Sequence, residues 1–299
     1  MDHPEVFWTN GGIKENINTA SGVVSNIVPT YTISRDSRDQ LQQEIDNAVS
    51  PFLSEITDEM GDYEVALKLY EKLIEFLDYD TIALERQQQN RNDSGVEGMD
   101  NLRNIYGAIV KHKSVCAGYA KAYQYLLQKL GIETLFVRGN CFEGGLHAWN
   151  IVRLEGDYYQ TDVTWGDYSN TDPSKNRKGM SYAYFAVTDE IIQRSRSFDE
   201  EFVLPKCQSD SCNYYVRNEL HFTKYDPETI RNALVQKLKE GSSSFVEYRF
   251  ENARLLRDAE FFLCQNGGVF EAAKMADMDS VKFSHSVIND MYLLRVAFE

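Results

Sequence analysis

A thiol, an imidazole and a carboxylate suffice for nucleophilic acyl transfer, and this sequence holds one of each where a fold could join them. The thiol is Cys116, in SVCAGYAKAYQYLLQKLGI (114–132). With Ser114 as N-cap, the cysteine falls in the first turn of a helix. Cys116, Ala120, Tyr123, Leu127 and Leu130 then share one stripe, which turns the thiol toward whatever the helix packs against. A free cysteine so placed is commonly no more than a small buried hydrophobe. Gly118 points further, because a glycine inside a helix costs about 1 kcal/mol relative to alanine and is usually kept for close approach of another segment. The helix terminus favours a thiolate by at most ~2 kcal/mol, roughly 1.5 pKa units, taking a cysteine from about 8.5 to about 7. That is insufficient alone: a histidine must complete the activation, itself oriented by a third group.

Of the five histidines, His3, His112, His147, His221 and His285, only His147 has the right company. It begins the strand-like HAWNIV, and Asp162 lies in YYQTDVTW, the second arm of a hairpin turning at Glu155-Gly156. A two-residue turn there sets odd positions of the first arm opposite even positions of the second, and opposed residues share a face. Asp162 then opposes Trp149, one diagonal step from His147, where Cα atoms lie about 7 to 8 Å apart and side chains can meet. An aspartate so placed can fix the imidazole tautomer and stabilise its cation. Plainer readings stand beside this one. A strand histidine is more often a hydrogen-bonded structural residue, and an aspartate between aromatic residues can simply hold a backbone amide. His112, in KHKS, is the rival base, although its flanking lysines favour a solvated surface.

The chain that must position these groups has 299 residues, enough for two domains or one large one with additions. With 42% hydrophobic and 26% charged residues it has the composition of an ordinary globular protein. A formal charge of -15 argues against nucleic acid or an anionic membrane as partner. No apolar run approaches the roughly 18 residues of a membrane helix, and MDHPEVFWTN lacks the basic and apolar regions of a signal peptide. The cysteines Cys116, Cys141, Cys207, Cys212 and Cys264 show no Cys-x-x-Cys spacing, so no metal site is expected. Cys207 and Cys212 are close enough in sequence to bridge outside a cell, or to stay as reduced loop thiols.

Residues 6–34 mix aromatic and β-branched types with Gly and Asn, as short strands and turns do. Leu41, Ile45, Val49, Phe52 and Ile56, then Val65, Leu69, Leu73, Phe76 and Leu77, recur at helical spacing. Residues 86–101 read as a loop, a flap or a linker, before a helix near 102–110. After the Cys116 helix come a strand (TLFVRG), a Gly-rich loop (GNCFEGG), the hairpin, a polar surface loop up to Gly179 and a strand (YAYFAV). From Tyr214 the pattern is helix (227–239), strand (245–250), helix (253–265) and a last strand (292–298), a separate α+β piece.

VCAGYAKAYQYLLQKLGI, HAWNIV and YYQTDVTWGD, in that order, closely resemble the bacterial transglutaminase-like superfamily. The likeness covers about Asp62 to Asp189, including YGAIV before the cysteine and YFAVTDE after the aspartate. HPEVFW and LPKC…NYY resemble segments around this core in bacterial, often cell-envelope, members. The resemblance implies an α+β fold with a papain-like core, its cysteine helix packed on an antiparallel sheet that carries the other two groups. Together with the sequence pattern, the expected organisation is N-terminal strands and helix (1–60), a catalytic core (61–212) and a C-terminal α+β module (213–299), open to packing with the N-terminal segment. It implies Cys116 as nucleophile, His147 as base and acid, and Asp162 as the orienting residue. The oxyanion donors are then the cysteine N–H and one other. Tyr106 is the candidate for the other, with Trp149 and Trp165 as pocket walls.

The expected chemistry is cysteine-dependent acyl transfer on amides, as protein cross-linking or as amide and peptide hydrolysis, without cofactor or metal. The substrate class is protein or peptide amides, cell-wall associated, outside the cell or in its envelope, with the cytoplasm left open. Two other classes remain. The core can be an inactive scaffold binding peptide or wall polymer, or a redox sensor with Cys141 as resolving cysteine.

Overall fold

In a computed structural model of the chain, the structure describes residues 3–17, 21–82, 99–142, 145–167, 179–199, 203–241 and 245–298. The expected loop at 86–101 and the surface loop up to Gly179 lie almost wholly outside them.

The N-terminal segment is one antiparallel hairpin, β1 (Thr9–Ile17) and β2 (Val24–Tyr31), with longer strands than the composition suggested. Ile13, Ile17 and Ile27 on it are exposed. Helix α1 (Arg35–Leu53) starts where the Ser34 side chain accepts from the Ser37 N–H, and α2 (Asp62–Phe76) follows. Their stripes, Ile45, Val49 and Phe52 on one and Val65, Leu69 and Leu73 on the other, are buried in a common core. Two short strands, β3 (Asp78–Tyr79) and β4 (Lys113–Ser114), pair in parallel. Between them, the helix expected near 102–110 is divided into a 3-10 turn, Met99–Arg103, and α3 (Ile105–Ile109). The Asn104 side chain accepts from the N–H groups of Tyr106 and Gly107 and so restarts the helix.

The cysteine helix, α4 (Cys116–Lys129), packs on an antiparallel sheet of β5 (Thr134–Cys141), β6 (Gly145–Leu154), β7 (Asp157–Thr161) and, after the short helices α5 (Val163–Gly166) and α6 (Asp189–Ile192), β8 (Arg196–Phe198). Strand order is β7-β6-β5-β8. The β6–β7 turn is at Glu155 and Gly156, with φ of 51° and 100°, the paired left-handed geometry of a primed turn. Alternate residues of β6 serve different layers: Val152 and Leu154 join the core under the helices, while Trp149 and Ile151 pack with Val137 and Cys207. Asn150 ties helix to sheet, donating to the Ala120 carbonyl at 3.0 Å and the Leu135 carbonyl at 3.2 Å.

The C-terminal piece has α7 (Tyr214–Arg217), β9 (His221–Phe222), α8 (Pro227–Glu240), β10 (Phe245–Phe250), α9 (Ala253–Glu260), α10 (Gly268–Met275), β11 (Phe283–Ile288) and β12 (Leu293–Phe298). Its sheet runs β11-β12-β10-β9. The elements α7, β9, α10 and β11 are additions to the expected pattern.

Several expectations are corrected. Val115, not Ser114, is the N-cap of α4, and it makes no side-chain capping bond. Leu130 lies past the helix end and is exposed. The described part of GNCFEGG is mostly strand, because β5 continues to Cys141 and β6 starts at Gly145. YAYFAV is a series of turns with one isolated bridge, Gln160 to Val187. Of the two readings left open for Cys207 and Cys212, the reduced one holds: all five cysteines are free.

Candidate active site

Cys116 is the first residue of α4. The chain entering the helix is pinned to one carbonyl: the Ser114 hydroxyl donates to the Leu102 oxygen at 2.6 Å and the Val115 N–H to the same atom at 3.1 Å. Gly118 is explained by this pin, since a Cβ there would fall 1.7 Å from Ser114 Oγ and 3.0 Å from the Leu102 oxygen. The close approach that this glycine permits thus fixes where Cys116 begins its helix. The parallel β3–β4 pair brings Tyr79 to the same end, its hydroxyl within hydrogen-bonding reach of the Cys116 N–H and thiol.

His147 is buried on β6 opposite Gly139 of β5. A Cβ on Gly139 would meet the Ser197 carbonyl at 1.9 Å and Trp149 Cη2 at 2.8 Å, so glycine lets β8 and the indole close in beside the histidine. Trp149 stacks on the imidazole with centroids 6.0 Å apart and is held by its Nε1, which donates to Gln160 Oε1 at 2.7 Å. Trp165 lies on the ring from another side at 5.7 Å.

Asp162 directly follows β7, one step beyond the last paired position, Asn150 opposite Thr161. It does three things at once. Oδ1 accepts the Trp165 N–H at 3.1 Å and caps α5. Oδ2 meets His147 Nε2 at 2.7 Å. The same oxygen accepts from the Arg196 guanidinium, and both members of that ion pair are fully buried. With Nε2 committed to Asp162, Nδ1 is the imidazole nitrogen left to face Cys116.

The charges follow from this geometry. Burial works against ionising the Asp162 carboxyl, but the His147 and Arg196 cations outweigh it and hold the group well below the usual carboxylate range. Burial likewise opposes charge on His147, yet Asp162 and Cys116 raise its pKa to about 9. At Cys116 burial opposes a thiolate, and the bond and charge of His147 with the Ala148 N–H prevail, so the thiol titrates below its ordinary value. The row is therefore shifted toward thiolate, imidazolium and carboxylate relative to three isolated groups.

The other expected residues are placed as follows. Tyr106 is turned away: its hydroxyl donates to Glu44 Oε2 at 2.7 Å, so it is not the second oxyanion donor. Trp149 is fully buried and backs the imidazole rather than walling an open pocket. Trp165 is partly exposed beside it. Cys141 is buried, and burial pushes its thiol up to about 11, which makes it a poor resolving cysteine. His112 is exposed. A groove of ≈ 640 Å³, lined by Gln160, Asp189, Phe198, Leu204 and others, shares Arg196 with the row but neither Cys116 nor His147. Arg196 and Tyr79 escaped sequence reasoning. A lone arginine in SRSFDE and a tyrosine in FLDYDT have no spacing to mark them.

Fold and site together define a mixed α+β protein in which a helix-terminal cysteine meets a buried histidine–aspartate pair. No family model and no curated protein matches the sequence. A solved structure described as "Crystal structure of a TGase" is similar at 15% identity and a TM-score of 0.37, over 50% of this chain and 36% of that one.

Proposed function

We propose that this chain catalyses cysteine-dependent acyl transfer on amides. The observation that carries the reading is the 2.7 Å His147–Asp162 bond beside a thiol whose pKa is lowered. In the first step the Cys116 sulfur attacks an amide carbonyl, and the Cys116 backbone N–H, with the Tyr79 hydroxyl at hand, stabilises the oxyanion. His147 then gives its proton to the leaving nitrogen, the C–N bond breaks, and a thioester remains. An amine or water, deprotonated by the now neutral His147, attacks the thioester and returns the thiol. An amine gives cross-linking and water gives hydrolysis. The resemblance of the three segments to transglutaminase-like proteins favours protein or peptide amides, and work at the cell envelope, as part of this proposal.

The test is iodoacetamide labelling across pH. Native protein is expected to alkylate selectively at Cys116 near pH 7, and His147→Ala to slow this about tenfold or more as the thiol returns to an ordinary titration. Equally slow labelling of both proteins would instead identify an inert scaffold. Amine incorporation into a glutamine-rich protein, set against peptide release, separates transfer from hydrolysis.

A further inference from the structure

A buried arginine behind the row has no place in the scheme above. The Arg196 side chain is fully buried, as is its anionic partner Asp162. Its guanidinium lies 4.2 Å from the Trp165 ring centre, 5.0 Å from that of Tyr184 and 5.2 Å from that of Trp149. Nε donates to Ser195 Oγ at 3.2 Å, while one terminal nitrogen, Nη2, has no hydrogen-bond partner among the described residues. Packing alone would be better served there by an apolar side chain, because a buried charge is costly even when paired. The cation shares a single carboxylate oxygen with the imidazole.

We infer that Arg196 is a positioning residue whose fixed charge keeps Asp162 ionised through both protonation states of His147, and so lets the imidazole release its proton. The inference rests on the acyl-transfer reading. In that cycle His147 is a cation beside the thiolate and neutral after protonating the leaving amine. Without Arg196, Asp162 beside neutral imidazole would be a lone anion in a water-poor site and would bind a proton itself. The bond that orients the ring would then change partners within each turnover. With Arg196, imidazolium faces a nearly neutral carboxylate–guanidinium pair, and the proton is held less tightly.

The sign is fixed by charge. Removing a cation beside the dyad raises its affinity for a proton, so His147 must stay protonated to higher pH. Among the described residues, the other titratable groups beside the row do not supply this charge. Tyr70 of α2, Tyr79 of β3, Tyr184 of the 179–187 segment and Cys141 of β5 are all pushed up by burial and stay neutral near pH 7. Cys116 is the remaining member and titrates with the pair.

The experiment is an NMR titration of the His147 ring in the native chain, in Arg196→Met and in Arg196→Lys, with iodoacetamide labelling of each. In Arg196→Met the ring titration should rise by roughly 1 to 3 pH units, and Cys116 should still alkylate at neutral pH while amide turnover falls with little change in KM. Arg196→Lys should stay within about half a unit of native, and it carries the test if the Met variant does not fold. An unshifted or lowered titration in Arg196→Met would overturn the inference, as would Arg196→Lys shifting by a full unit. The ring titration is read whether or not Cys116 reacts, whereas failure of the acyl-transfer reading appears as slow labelling of the native chain.

Discussion

At the scale of single residues, the buried imidazole of His147 between Asp162 and Cys116 gives folding a pH signature. The His147 pKa is raised from an ordinary 6.5 to about 9. A raised pKa means that the folded chain binds this proton more tightly than the unfolded one, so the stabilisation is complete below about pH 6.5 and is lost as pH rises through about 9. The depressed Asp162 carboxyl works the other way, its contribution being present above its ordinary 3.8 and lost only in strong acid. In a Cys116→Ala background, which removes the opposite contribution of the lowered thiol, chemical denaturation at pH 6 and pH 10 should show the chain losing up to about 3 kcal/mol more than its His147→Gln counterpart over that interval. Equal losses would mean that the imidazole carries no charge in the fold. Cys116, His147 and Asp162 were legible because each combines a reactive type with a position that local rules fix, namely a helix start and two hairpin arms. Arg196 was not legible, since its partners come from β7, α5 and the 179–187 segment, and nothing local in RSRSF declares them.

At the scale of elements, glycine spacing at one crossing governs whether the row can form. Gly139 lies between His147 and Phe198 in the strand ladder. In Gly139→Ala the new methyl would meet backbone of β8, so the strand must shift and Arg196 must move with it. Overpacking of this kind costs about 1–3 kcal/mol or more, and a lower melting temperature together with slower Cys116 alkylation is expected. A native labelling rate in this variant would show that β8 is not needed for the site. The hairpin register could be read in advance because a two-residue turn at Glu155-Gly156 leaves no freedom in pairing. The misplaced cap at Ser114 has a local cause. Serine is a good N-cap in general, but here its hydroxyl has the Leu102 carbonyl to bond. YAYFAV reads as a strand by composition, yet its members are shared out. Ala183, Tyr184 and Val187 enter the C-terminal core, while Phe185 and Ala186 enter the core under the helices. A segment that feeds two cores cannot keep the alternation of one sheet.

At the scale of the whole molecule, that shared segment joins the C-terminal piece to the site. Glu247 of β10 is buried and holds Arg295 at 2.7 Å, Ser181 Oγ at 3.0 Å and the Tyr215 hydroxyl at 2.8 Å. Arg249 donates to the Ala183 carbonyl at 2.8 Å, and the Tyr184 carbonyl in turn accepts the Asp162 N–H at 2.9 Å. The second sheet therefore holds the 181–184 backbone, and that backbone in turn holds the main chain of Asp162. Removing one member of a buried ion pair costs about 3–5 kcal/mol, or roughly 10 °C in Tm. Glu247→Ala should show that loss by calorimetry, with slower Cys116 labelling. Stability lost without any change in labelling would separate the second sheet from the site. Chain composition pointed to an α+β C-terminal piece but not to this dependence, because Glu247 and Ser181 are joined only by the tertiary fold.

One consequence of the indoles around His147 is optical. Trp149 and Trp165 are two of the three tryptophans in the chain, and both lie within 6.0 Å of the imidazole, ring centre to ring centre. Imidazolium quenches indole emission more strongly than neutral imidazole does, so the protein's intrinsic fluorescence becomes a built-in gauge of the proton at this ring, readable in a cuvette without label or substrate.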